Sequence, residues 1–391
     1  MQPFEFYRTP KIMFGAGEIK KLGAVARQFG KTILLVHGAS FLKRNPSWLV
    51  VVKSLENAGI TFFEYQISQE PSPLLINTAV NQFSNRSIDC VIAIGGGSVL
   101  DGGKAISAML PSCEDIVDFL EVKGNKKPNG KKVPFIAIPT TSGTGSEATA
   151  NAVISEIGPA GFKCSLRHTN YVPDVALVDP ELSLSCPSTI TAACGMDALT
   201  QLLESYVSTK SSPFTDTLIE SALPLVRDHL LNSVRHGLTD INSRAGMAYA
   251  SMISGITLAN AGLGIVHGLA SVLGALYPIP HGTICGTLLL PATESTIHKL
   301  LNEKPDSIAL IKYSTAGKIL TNNPHLETTE GCELLIKYLD LLTKSLNISY
   351  LSDFGVSRSD FDVILSSDCN KNNPIQLNTD EVKLMLAKRT E

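Results

Sequence analysis

Asp89-Cys-Val-Ile-Ala-Ile94, followed at once by Gly95-Gly-Gly-Ser98-Val-Leu-Asp101-Gly-Gly-Lys104, decides how this chain is read. After Asp89, the five residues from Cys90 to Ile94 form an unbroken apolar run. Such a run fits a strand buried on both faces, which belongs to a parallel sheet covered by helices. The glycines after it let the backbone approach a ligand closely. A helix beginning there offers free N–H groups and the positive end of its dipole to a phosphate. A glycine run alone is no more than a tight βα turn. A strand, Gly-Gly-Gly-Ser, then Asp three and Lys six residues after the serine is a more specific pattern, and it is not Gly-x-Gly-x-x-Gly.

Outward from this stretch the first half alternates. Residues 31–36 read as a strand running into His37-Gly38-Ala39-Ser40, and 61–66, 133–138 and 174–178 as further strands. Residues 48–58 and 75–85 are helical in pattern. Strands alternating with helices predict an α/β, Rossmann-like domain, placed at 1–183, with ligands beyond the C-terminal strand ends. The end of strand 133–138 fits that role. It reads Pro139-Thr140-Thr141-Ser142-Gly143-Thr144-Gly145-Ser146-Glu147-Ala148-Thr149, dense in hydroxyls and glycines that suit phosphate, ribose or amide groups.

From about residue 185 the pattern is helical, and 184–391 is expected to be an all-α domain. A cleft between the two domains is the default ligand site. Asp197 and Gln201, four apart on one apolar helix, share a face. Asp197 fits a ligand and equally an N-cap. Farther on, His267 falls on a buried helix, and His281 is expected on a tight turn after Pro280. Neutral imidazole is the commonest protein ligand for a transition metal. The local sequence equally allows two core histidines bonded to carbonyls.

Composition narrows the classes. The 391 residues are 44% hydrophobic and 18% charged, with a net charge of −3, which is ample for buried cores. Lys126-Lys127 and Lys131-Lys132 are short loop pairs, so no nucleic-acid partner is expected. No run of 18 apolar residues and no signal-peptide pattern occurs, so neither membrane nor export is expected. Eight scattered cysteines without a Cys-x-x-Cys pair read as reduced core thiols of a cytoplasmic protein.

With these pieces in place the chain resembles the iron-containing (group III) alcohol dehydrogenases nearly end to end. The resemblance rests on Gly95-Gly-Gly-Ser-x-x-Asp101-x-x-Lys104, Pro139-Thr-Thr-x-Gly-Thr-Gly-Ser-Glu147, Gly195-Met-Asp-Ala-Leu-Thr200, Ser212-Pro-Phe-Thr-Asp216, Ala259-Asn-Ala-Gly-Leu-Gly264 and His267-Gly-Leu-Ala…Pro280-His-Gly282. It implies an NAD(P)-binding α/β domain, a helical domain carrying a divalent metal, iron or zinc, and an architecture shared with dehydroquinate synthase. It also implies a homodimer and a small alcohol or aldehyde substrate. Gly95, Gly96, Gly97 and Ser98 then match the pyrophosphate loop, and Asp101 a position beside nucleotide and substrate. Thr140, Thr141 and Thr144 match cofactor contacts. Thr149 falls near the nicotinamide, and Lys163 near the cofactor ribose.

The family's metal ligands are an Asp, a His four later and two more His. Asp197, His267 and His281 match three of them, and Gln201 stands at the fourth. An amide oxygen is a poorer ligand than imidazole, although three ligands plus water make a catalytic zinc site. Ser271 occupies a place where many relatives carry a His near the nicotinamide. Asp101, His267 and Ser271 are therefore the expected catalytic residues. NAD-preferring relatives carry an acid after the strand that matches 31–36. Here Gly38 and Ser40 leave room for a 2′-phosphate, with Lys43 and Arg44 following. The resemblance implies NADP, with NAD the alternative. Three other readings stand beside it: a metal-independent oxo-acid reductase of the maleylacetate type, which would use Arg167 or His168, a dehydroquinate synthase-like lyase, and a nucleotide-binding module without turnover.

Overall fold

A computed structural model describes residues 3–39, 46–366 and 368–390 of the chain. Strands β1 (Lys11–Phe14), β2 (Thr32–Gly38), β3 (Thr61–Ile67), β4 (Cys90–Gly95), β5 (Phe135–Pro139) and β8 (Val175–Val178) form one parallel sheet in the order β1-β8-β5-β4-β2-β3. Between β5 and β8, strands β6 (Asn151–Glu156) and β7 (Phe162–Arg167) form a separate antiparallel hairpin.

The apolar runs become strands because each can bury both faces. Leu34, Val36, Val91, Ala93, Phe135 and Ala137 pack on one side. Their partners there are Ile76 and Val80 of α3 (Pro73–Phe83) and Leu100 and Ile106 of α4 (Gly97–Met109). Their neighbours one residue away, Ile33, Leu35, Ile92, Ile94, Ile136 and Ile138, pack on the other side. Leu22 of α1 (Leu22–Ala26) and Val51 and Leu55 of α2 (Ser47–Asn57) cover that side. This is the period of two expected of a strand. Each buried Val, Leu, Ile or Phe side chain contributes about 1.5–3 kcal/mol.

Five of the six sheet strands coincide with the expected runs. β1 and the hairpin do not announce themselves. β1 is a four-residue edge strand with mostly exposed residues, and β6 and β7 place polar residues among their apolar ones.

The remaining long helices are α5 (Ser188–Val207), α6 (Pro213–His236), α7 (Ile241–Ala261), α8 (Ile265–Leu276), α9 (His281–Glu303), α10 (Ile308–Thr321) and α11 (Thr328–Ser345), followed by the short α12 (Phe361–Ile364) and α13 (Thr379–Ala387). Among the described residues every strand lies before Asp179. Met196, Leu199 and Leu203 of α5 share a core with Ile219 and Leu223 of α6, Ile253 of α7 and Leu335 of α11. Ile265, Leu269 and Leu273 of α8 pack with Ile284 and Leu288 of α9.

Helices α7 and α8 meet at 100°. The bend uses Gly262, at φ 70°, where a Cβ would lie 2.5 Å from Asn372 Nδ2. No single described helix is long and apolar enough to cross a membrane; α7 and α8 pass that test only as this bent pair.

One expectation is corrected here. His281 is not on a tight turn but is the first residue of the 23-residue helix α9, with Pro280 extended before it at ψ 133°. A proline can precede a helix start as readily as follow a stop, because its fixed φ suits both.

Candidate metal centre and nucleotide cleft

A cleft of about 1230 Å³ opens where the strand ends face the helices. The chain leaves β2 toward β3 on one side and β4 toward β5 on the other, so the carboxyl ends of β2 and β4 flank a topological switch point. Gly96, Gly97, Ser98, Asp101, Thr141, Thr144, Thr149 and Lys163, all expected from the sequence, wall this cleft. At Gly97 a Cβ would sit 2.6 Å from Thr144 Cγ2, so only bare backbone fits. No side chain caps α4 at its start, which leaves first-turn N–H groups for an anion. These features fit a nucleotide pyrophosphate.

Gly38, Gly95 and Thr140 are not among the cleft-wall residues. Thr140 N–H donates to the Gly95 carbonyl at 2.9 Å and ties the ends of β5 and β4 together. Ser40, Lys43 and Arg44 lie outside the described residues. His37 is buried, its ring edge-on to Trp48.

Asp101 reaches the cleft with both oxygens already engaged: Ser146 Oγ donates to Oδ1, and Val153 N–H to Oδ2 at 3.1 Å. Burial raises its carboxyl above the ordinary value against the pull of Lys104. Lys104, read from sequence only as part of a motif, is a buried hub. Its Nζ donates to Ser146 O and Asn151 O at 2.8 Å and to Thr149 Oγ1 at 2.9 Å. Burial brings it down to about 8, opposed by Asp101 and Glu147. Lys163, on β7, pairs with Glu70 at 3.3 Å, and Glu70 also accepts from Ser98 Oγ at 3.1 Å.

Across the cleft three helices converge. Asp197 Oδ1 of α5 lies 3.4 Å from His267 Nε2 of α8 and 3.7 Å from His281 Nε2 of α9. Cys285 Sγ, one turn after His281, lies 3.6 Å from His267 Nε2 and 3.7 Å from His281 Nε2. All four donor atoms fall within 4.8 Å of one another. Asp197 Oδ1 is buried without a hydrogen-bond partner, as is His281 Nδ1. A buried carboxylate oxygen with no donor is costly unless a cation meets it, so the residues fit a divalent metal. Burial opposes ionisation of Asp197, but His281 and His267 outweigh it and hold the carboxyl below its ordinary value. Burial lowers His281 to about 4 and pushes the Cys285 thiol up to about 12. His267 lies well above its ordinary value because Cys285, Asp197 and Glu204 outweigh its burial.

Glu204 is a residue that sequence reading missed. It lies seven residues after Asp197 on α5, the same stripe of the helix, and that spacing was the available signal. Its Oε2 meets His267 Nδ1 at 2.7 Å, and its Oε1 accepts from Val266 N–H at 2.6 Å. A carboxylate on the far nitrogen turns the near one toward the metal. Glu204→Gln is therefore expected to weaken metal binding about 10–100-fold, measured by competition with a chelator of known affinity. Retention of wild-type affinity would show that packing alone orients the ring.

Gln201, expected at the fourth ligand position, is buried, and its Oε1 accepts from Ser254 Oγ at 2.7 Å. Ser271 lines the cleft, with its hydroxyl donating to the His267 carbonyl at 2.9 Å.

A nucleotide-type strand end facing a carboxylate–imidazole cluster fits an enzyme that binds a nucleotide and a divalent metal in one cleft. Residues 9–180 match the family described as iron-containing alcohol dehydrogenase, and residues 191–390 its C-terminal domain. The chain is 31% identical over 376 residues to the NAD-dependent methanol dehydrogenase of Bacillus methanolicus, covering 94% of this chain and 95% of that one. It is 34% identical over 382 residues to the NADPH-dependent butanol dehydrogenase of Clostridium saccharobutylicum, covering 95% and 94%. It superposes on the crystal structure of a 1,3-propanediol oxidoreductase with a TM-score of 0.89 at 28% identity, over 99% of this chain and 100% of that one. The chain belongs to the iron-containing alcohol dehydrogenase family and is an alcohol dehydrogenase-type oxidoreductase. That placement sets aside the lyase reading and does not favour the metal-independent one.

Proposed function

We propose that the chain is a metal-dependent, NADP(H)-preferring dehydrogenase that interconverts a small alcohol and its aldehyde or ketone. The observation that carries this reading is that Asp197, His267 and His281 open onto the same cleft as the uncapped start of α4. When bound, the divalent cation supplies Lewis acidity toward the substrate oxygen and the nicotinamide exchanges hydride with carbon.

The protein binds and aligns. Asp197, His267 and His281 hold the cation, with Glu204 orienting His267. Gly96, Gly97 and Ser98 receive the pyrophosphate, while Thr141, Thr144, Thr149 and Lys163 line the nucleotide's path. His267 has both ring nitrogens engaged, so its part in catalysis is to hold the metal. The alcohol proton leaves to water, which the Ser271 hydroxyl positions: its oxygen keeps a lone pair free to accept from that water while its hydrogen rests on the His267 carbonyl.

NADP preference is supported by the absence of a carboxylate in His37-Gly38-Ala39-Ser40. The two named relatives differ in cofactor, so the preference rests on that turn. A homodimer through β1 is supported by its place at the sheet edge, with Ile12 and Phe14 exposed. A cytoplasmic setting is supported by eight unpaired cysteines.

The test is oxidation of NADPH and of NADH with butyraldehyde, before and after chelation. NADPH is expected to give the higher kcat/KM, with activity lost on chelation and restored by iron or zinc. Full activity after exhaustive chelation would transfer catalysis to the cleft side chains. A higher kcat/KM with NADH would overturn the cofactor assignment alone.

A further inference from the structure

The site has four donors in contact, but only three are the ones the family pattern supplies. We propose that Cys285 is the fourth metal ligand, bound as a thiolate in place of Gln201, and that the resulting oxygen–nitrogen–nitrogen–sulfur site takes zinc rather than iron. This deepens the metal-dependent reading and rests on it.

Three observations carry the inference. The first is spacing. A tetrahedral cation with bonds of about 2.0–2.1 Å to nitrogen and oxygen and 2.3 Å to sulfur requires ligand atoms about 3.3–3.7 Å apart. Four of the six separations, 3.4, 3.7, 3.6 and 3.7 Å, fall in that range, and all four donor atoms lie within 4.8 Å of one another. The second is local structure. His281 and Cys285 stand one turn apart on α9, so a single helix face presents both. The family's Asp-x-x-x-His pair on α5 is matched here by a His-x-x-x-Cys pair on α9. The third is the state of Gln201. Its oxygen already accepts from Ser254 Oγ at 2.7 Å, which fixes the amide and commits one of its two lone pairs.

The chemistry selects the ion. Binding requires the Cys285 S–H to lose its proton to solvent as the metal–sulfur bond forms, with no change of oxidation state. Thiolate is a soft ligand and favours zinc over ferrous iron, in line with the order of divalent affinities. Cys285 is fully buried, and its Sγ meets His267 and His281 among the described residues.

Cobalt(II) is the probe, because a thiolate–cobalt bond gives an intense near-ultraviolet charge-transfer band that oxygen and nitrogen ligands do not. Full-length wild-type protein, Cys285→Ser, Gln201→Ala and Asp197→Asn would be stripped and titrated with cobalt, and metal per chain measured. The expected result is one cobalt per wild-type chain with the band present, retained in Gln201→Ala and absent in Cys285→Ser with at least tenfold weaker binding. In competition dialysis the wild type is expected to keep zinc against ferrous iron.

Stoichiometric cobalt without the band in wild type would overturn Cys285 ligation and leave the metal-dependent reading intact. The wild-type spectrum decides this even if a variant fails to fold. Retention of iron over zinc would overturn the ion assignment. No cobalt in wild type, matching Asp197→Asn, would overturn both readings.

Discussion

Asp197→Ala is expected to lose its metal and about a thousandfold in kcat/KM with the protein still folded. Asp197 meets both imidazoles, and its Oδ1 is a buried oxygen left without a hydrogen bond. Removing it takes the only carboxylate out of the four-donor cluster and leaves two imidazoles and one sulfur to hold the cation. Lewis-acid stabilisation of a developing alkoxide is worth several kcal/mol; about 4 kcal/mol corresponds to about a thousandfold at 1.36 kcal/mol per tenfold. Metal content, kcat/KM and a thermal melt measured together check the result. Cofactor affinity is the internal control. Gly97 and Thr144 stand on the opposite wall, so nucleotide binding is expected within about threefold of wild type, because sites without shared partners act nearly additively. A variant keeping both metal and activity within tenfold would remove Asp197 from the catalytic centre.

The sheet was legible because its strands are buried on both faces. Ile33 and Leu34 serve opposite cores and yet both must be apolar, so the run is continuous and the period need not be seen. β1 was not legible for a different reason: its four residues, Lys-Ile-Met-Phe, are too few to stand out as a run, and three of them are exposed at the sheet edge. The hairpin β6–β7 was lost for a related reason: its strands mix polar and apolar residues, and it lies outside the main sheet.

The site divides along the same line. Gly96, Gly97, Thr141 and Thr144 follow directly after strands, so chain order alone brings them together. The metal cluster depends on how α5, α8 and α9 cross, which no local pattern records. Cys285 was hidden by the misreading of Pro280: with His281 on a turn, a residue four positions later has no reason to share its face. Once α9 begins at His281, the pair follows from helical spacing. Glu204 was hidden because its contact is with a residue 63 positions away, although its place on the Asp197 stripe was visible.

Lys104→Met is expected to cost about 3–5 kcal/mol of stability, the range for removing one partner of a buried ionic group. Methionine keeps the length and most of the volume, so the loss is electrical and not a cavity. Lys104 is 1% exposed, and its Nζ gathers the stretch of cleft wall from Ser146 to Asn151 by donating to Ser146, Thr149 and Asn151. Without it those acceptors lose their donor and Asp101 loses its nearest cation. The Asp101 carboxyl, already raised by burial, then climbs further. Urea unfolding should show a lower midpoint at unchanged slope, since the surface exposed on unfolding is the same. The slack in the Ser146–Thr149 wall should also raise KM for the nucleotide while metal content stays at wild type. The double variant Lys104→Met/Asp101→Asn separates causes. If the cost lies in an unpaired buried carboxylate, neutralising Asp101 recovers part of the stability, a coupling of about 1–3 kcal/mol. A purely additive cycle would place the whole cost in the lost hydrogen bonds to Ser146, Thr149 and Asn151. A midpoint unchanged in Lys104→Met would mean that the lysine is tolerated in the core without holding the wall together.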